Sequence, residues 1–154
     1  MQKQTSGDAG MRSESKPFTR AEKMLICLEL TTGTAAVVSG AVLAALPHGS
    51  FLHAGPHVLA RTPFRNWRLP GLFLAAGCGG GYIAAGSLQL VRHPAAPLVS
   101  AAAGAALVGL EVWETAVIEF QPLEVFYSAV GGAVAALALR TAAAGEGTRR
   151  RTGP

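Results

Sequence analysis

GLFLAAGCGGGYIAAGSLQLV, residues 71–91, decides the fold. These 21 residues contain no Asp, Glu, Lys or Arg. A helix rising ~1.5 Å per residue would carry them ~30 Å, the thickness of a bilayer's hydrocarbon core. Three further apolar stretches, each interrupted by glutamate, lie at about 24–46, 97–120 and 123–139. Breakers separate them: Pro47-His48-Gly49-Ser50, Arg92-His93-Pro94 and Gln121-Pro122. The pattern predicts an all-α membrane protein, a bundle of four transmembrane helices. Short turns between spans two, three and four predict antiparallel neighbours.

Composition agrees. Of 154 residues, 50% are hydrophobic and 14% charged. A soluble domain carries roughly 25% charged residues. The basic residues gather in the polar flanks: Lys3, Arg12, Lys16, Arg20 and Lys23 at one end, Arg149, Arg150 and Arg151 at the other. A pI near 9.6 therefore points to lipid headgroups beside membrane spans and not to nucleic acid. The expected organisation is a disordered tail over 1–23, a transmembrane domain over 24–141 and a second disordered tail over 142–154. A cleaved signal peptide is the competing reading of span one, but its apolar run exceeds a ~7–15-residue signal core.

Orientation follows from the basic residues. With the N-terminus in the cytoplasm, the cytoplasmic segments hold five, one and four Lys or Arg, ten in total. The opposite side holds three, Arg61, Arg65 and Arg68. That bias predicts an inner-membrane, multi-pass protein with both termini cytoplasmic. The loop from His48 to Pro70 mixes these arginines with Phe51, Leu52, Leu59, Phe64 and Trp67. Such a partly apolar loop suits the headgroup level.

Small residues run in stripes along the spans. Gly77 and Gly81 have GxxxG spacing in span two, Gly40 lies between Ala36 and Ala44, and Gly132 between Ser128 and Ala136. Within lipid, close backbone approach drives helix association, so these glycines are the expected packing positions. A bundle within one chain and a GxxxG homodimer both use such stripes. Gly79, Gly81 and Ala84 fit a GxGxxA dinucleotide fingerprint, but that motif needs a preceding strand, which the sequence lacks. The triple glycine at 79–81 also marks a candidate flexible point in span two.

Carboxylates inside spans are the candidates for chemistry, because ionisable groups at membrane depth are costly. Glu111 and Glu114 share one face of span three. Arg61, Arg65 and Arg68 are expected at their level, so the five residues form either a structural ion-pair cluster or a proton, cation or polar-ligand site. Glu29, about five residues into span one, is expected to snorkel or to bond Thr31 or Thr32 on another helix. Glu119 and Glu124 are expected at the wet interface. Thr34, Ser39 and Ser100 supply the polar groups expected in the middle of the spans.

His48, His53 and His57 lack accompanying Cys or Asp, so no metal site is predicted. Cys27 and Cys78 lie in apolar stretches and are expected as free thiols. With no nucleophile elbow and no P-loop, the sequence predicts no catalytic residue and no cofactor.

Thr62-Pro63-Phe64, Pro70-Gly71-Leu72, Glu114 and Gln121-Pro122 occur in an order that resembles a group of uncharacterised small four-helix membrane proteins of high-GC bacteria. The likeness spans about Met24 to Arg140. Leu110 stands where that group places a tryptophan, with Trp113 nearby, and Glu111 is extra. The resemblance implies the four-helix architecture and favours Glu114 over Glu111. It implies no activity. The leading functional expectation is a non-enzymatic structural or partner subunit. The alternative is a small transporter or proton/cation-conducting element using Glu114 and Glu111. A polar path from Glu29 to the level of Glu111 and Glu114 would favour the second.

Overall fold

In a computed structural model, the protein is a bundle of helices long and apolar enough to cross a membrane four times. The structure describes residues 17–49, 59–117 and 122–152. Span one is α1 (Arg20–Ala45). Span two joins α2 (Arg68–Phe73), a π-helical segment (Leu74–Gly79) and α3 (Gly80–Leu90) into one rod. Span three is α4 (Ala96–Val117) and span four is the first part of α5 (Pro122–Thr152). No strand occurs among the described residues.

Helix starts are set by local chemistry. The Thr19 hydroxyl accepts from the Glu22 N–H at 3.2 Å, and the Glu22 carboxylate accepts from the Thr19 N–H at 2.6 Å. This reciprocal cap begins α1 four residues before the apolar run at Met24, so residues 20–23 belong to the helix and not to a tail. Pro70 lies in the first turn of span two, where its missing N–H has no intrahelical partner to lose. At the other end of the chain, α5 runs on to Thr152, through the region expected to be a disordered tail from 142. The alanines at 142–144 carry the helix past the apolar stretch, because alanine costs least in a helix.

The α3–α4 turn is a Schellman arrangement. The Arg92 N–H donates to the Gln89 carbonyl at 3.0 Å, and the His93 N–H to the Leu88 carbonyl at 2.9 Å. Arg92 adopts φ 53°, a conformation usually taken by glycine. Its guanidinium lies 4.1 Å from the centroid of the Phe18 ring, just before α1. The turn thereby meets the start of the first span. At the opposite end, the Trp67 N–H donates to the Pro47 carbonyl at 3.0 Å and closes the long loop where span two begins.

Packing around the bundle is sequential. α1 lies along span two, α4 along α5, and α3·α4 and α1·α5 contacts close the ring. The core is narrow: Leu25, Tyr82, Leu107, Val134 and Ala138. Large apolar side chains instead face outward, including Phe73 at 69%, Leu98 at 74% and Phe126 at 62% exposure. Water would penalise that surface, whereas lipid would not.

The close contacts use glycines, but mostly not those the stripes suggested. A Cβ placed on Gly40 would lie 2.5 Å from the Ala75 nitrogen and the Gly71 oxygen. Gly79 presses likewise on Val37, and Gly104 and Gly131 on each other's helices. Gly40 is thus a packing position. Gly77, Gly81 and Gly132 meet nothing within 4 Å, so within one chain they do not carry the packing. One residue turns a helix face by about 100°. In runs as rich in Gly and Ala as these, several neighbouring stripes look equally smooth.

The π-helical segment accounts for part of the shift. Its i→i+5 bonds widen the turn, so each residue rotates less about the axis. Gly71, Ala75 and Gly79 consequently all reach α1. Cys78, in the same segment, is half-buried against the core.

Candidate functional site

The interior of the bundle is not wholly apolar. Glu29 on α1, Tyr82 and Gln89 on α3, Ser100 and Glu111 on α4, and Glu124 on α5 are all buried. Each comes from a helix that is otherwise apolar, and each occupies an inward position of that helix. Tyr82, Ala85 and Gln89 follow one another at spacings of three and four, the period of a single helix face.

At the α3–α4 end, the Gln89 side-chain amide donates to the Ser100 hydroxyl at 3.0 Å. The hydroxyl keeps its own proton for a second partner. Ser100 lies beside the Glu29 carboxyl group. Glu29 is 0% exposed, and neither of its oxygens has a partner at hydrogen-bonding geometry. It does not snorkel, and Thr31 does not serve it: the Thr31 hydroxyl donates to the Cys27 carbonyl of its own helix at 2.7 Å. Gly86 lets α1 come close here, since a Cβ on it would lie 3.3 Å from the Glu29 Cβ.

Tyr82 stands next along the axis. Its ring belongs to the core, and its buried hydroxyl has no hydrogen-bond partner. It lies within electrostatic reach of both Cys78 and Glu29. Cys78 in turn lies within reach of Glu111 and Glu114.

The loop end gathers the carboxylates. Glu111 is 6% exposed, and Glu114 is half-buried on the same face of α4. Their charged neighbours are carboxylates: Glu114 and Glu124 act on Glu111, and Glu124 acts on Glu114. Glu124, in the first turn of α5, is 8% exposed, so its side chain is turned into the bundle. It accepts a hydrogen bond from the Thr115 hydroxyl at 2.8 Å. Arg61, Arg65 and Arg68 are exposed on the neighbouring loop and the first residue of α2. The structure brings Glu111, Glu114 and Glu124 together, and it turns the three arginines outward.

Glu29, Ser100 and Gln89, then Tyr82, Cys78, and finally Glu111, Glu114, Thr115 and Glu124 form a polar column along the bundle. On α4 it extends from Ser100 to Thr115, fifteen residues, or ~22 Å of helical rise. That is most of a ~30 Å hydrocarbon core. Thr34 and Ser39 lie outside it, on a shallow groove of the outer surface of α1. Tyr82, Gln89 and Cys78 were not among the sequence candidates. The signal that finds them is their shared spacing along span two.

Among the described residues, no group of three or more His, Cys, Asp and Glu side chains could hold a metal ion. His48 is exposed, and His53, His57 and Glu119 lie outside the described residues. Cys27 and Cys78 are free thiols. The chain matches no family model, no curated protein and no solved structure.

Proposed function

We propose that this is a multi-pass inner-membrane protein that passes protons or small cations along the polar column, with both termini in the cytoplasm. No reaction is assigned to it. The observation that carries the proposal is the burial of ionisable and polar side chains at both ends of the bundle interior, Glu29 with Ser100 at one level and Glu111 with Glu124 at the other. Ionisable groups in a membrane interior are expensive to keep, and they mark ion pathways and proton relays more often than simple scaffolds. The ten-to-three bias of basic residues supports the orientation.

The test is flux. Protein reconstituted into liposomes with a trapped pH-sensitive dye should dissipate an imposed proton gradient. Replacing both Glu111 and Glu114 with Gln should abolish that flux while preserving the shape of the side chains. Flux no faster than in protein-free liposomes, under both proton and sodium gradients, would remove the transport reading.

A second reading is a structural or partner subunit, or a homodimer. It is supported by the outward face of span two, where Gly77, Gly80 and Gly81 meet nothing within the chain. A lipid-facing surface this smooth suits close approach by another helix. Crosslinking in membranes through a cysteine placed at Ala84 would detect such a neighbour.

A further inference from the structure

We propose that Glu29 is the inner proton-binding site of the column, with Ser100 and Gln89 as its positioning residues and Tyr82 as the next group along the path. This rests on the transport reading and narrows it to protons. Two buried groups without partners carry it: the Glu29 carboxyl, 0% exposed, and the Tyr82 hydroxyl, 1% exposed. A native interior satisfies nearly all of its buried polar groups, so two orphans in one core need a reason. An orphan carboxyl needs a proton or a cation to balance its charge away from water.

The surroundings favour the proton. From α3, Glu29 faces Tyr82 and, through Ser100, Gln89; from α4 it faces Ser100. From α5 the core receives Val134 and Ala138, and from α1 itself Leu25, none of which carries charge. Among the described residues no group of three or more His, Cys, Asp and Glu side chains could hold a metal ion, whereas a cation site wants several hard oxygens. The contact with Gly86 also leaves the α1–α3 side tightly closed.

The parts fit a proton that comes and goes. When Glu29 holds it, the group is neutral and tolerates the apolar core. When the proton leaves, the Ser100 hydroxyl can donate to the carboxylate, because its oxygen is already held by the Gln89 amide at 3.0 Å. The Tyr82 hydroxyl, buried and within electrostatic reach of both Glu29 and Cys78, is a group that can both accept and donate a hydrogen bond.

Dicyclohexylcarbodiimide tests this in the full-length protein in liposomes, since it modifies protonated carboxyl groups in apolar surroundings. Peptide mass spectrometry should find the adduct on Glu29, with a yield that falls as pH rises and does not change with sodium or potassium. Glu29→Gln should lose both that adduct and proton flux, and Glu29→Asp should restore flux. An adduct on Glu111 or Glu114 without one on Glu29 at any pH would overturn the inference. Protection of Glu29 by sodium would overturn it in favour of a cation. Wild-type flux that survives Glu29→Gln would sink the inner site and leave transport standing. Labelling of Glu29 in a wild-type protein without flux would do the reverse.

Discussion

Span two has two glycine faces made of the same residue type and set in opposite circumstances. Gly71, Gly79 and Gly86 are pressed against α1 so closely that a Cβ on any of them would collide with backbone or side-chain atoms. Gly77, Gly80 and Gly81 face open space within the chain. The first face fixes the position of α1, and with it the depth at which Glu29 enters the core. The second contributes nothing to the monomer. A glycine in a membrane helix is therefore no guide to packing until the helix rotation is known. That rotation is set here partly by the π-helical segment between Phe73 and Gly80.

Substitution on the pressed face should have the largest effect. Gly40→Leu, opposite Ala75 and Gly71, should lower bundle stability by ~3 kcal/mol or more, because backbone and not a flexible side chain must move. Thermal unfolding in detergent measures it. If Gly40→Leu unfolds with the wild type, the α1–span two contact is not as described.

Glu29→Leu should change stability in the opposite direction. It removes an unpartnered carboxyl from the core and leaves apolar volume in its place. A gain of about 1–3 kcal/mol is expected, with loss of proton flux. A stable, inactive variant would separate what Glu29 does for function from what it does to the fold. A destabilised one would mean that the carboxyl has a partner holding the helices together.

Arg92→Gly tests the turn, where a relieved backbone conformation opposes the loss of side-chain contacts. Glycine relieves the left-handed backbone conformation at φ 53°, worth about 1–2 kcal/mol. It also removes the cation–π contact with Phe18, worth about 0.5–1 kcal/mol at an exposed site. The net change should stay within about 1 kcal/mol by the same unfolding measurement. A loss well beyond that would show that Arg92 anchors the start of α1 more firmly than one ring contact explains.

Gly77→Leu should have the smallest effect on the isolated chain, close to none, since the added side chain enters open space. If it nevertheless disrupts a crosslinked dimer or a co-purified partner in membranes, the open face of span two is an interface. Equal destabilisation by Gly77→Leu and Gly40→Leu would erase the contrast between the two faces.

Much of the architecture was legible before any tertiary information. Apolar runs of ~20 residues have few alternatives to spanning helices, because a bilayer leaves backbone groups no partner but their own chain. Prolines and the Arg92-His93-Pro94 turn placed the breaks to within a few residues. Glu111 and Glu114 were visible as carboxylates on one face, since a spacing of three is a local property of any helix. Their company was not visible. The arginines share their level by sequence position, yet they point outward, while Glu124 turns in to meet Thr115.

Composition and the length of the apolar runs alone determined that this chain is a four-helix membrane bundle, because burying apolar length in lipid depends on each helix separately. The tertiary structure decided how each helix is rotated about its axis. Rotation depends on which neighbour each side chain meets, and in spans smooth with Gly and Ala the sequence offers several rotations of similar quality. That choice put Gly40 and Gly79 in contact and Gly77 and Gly81 in the open. It also brought Glu29, Tyr82, Gln89 and Ser100 from three separate helices into one buried column.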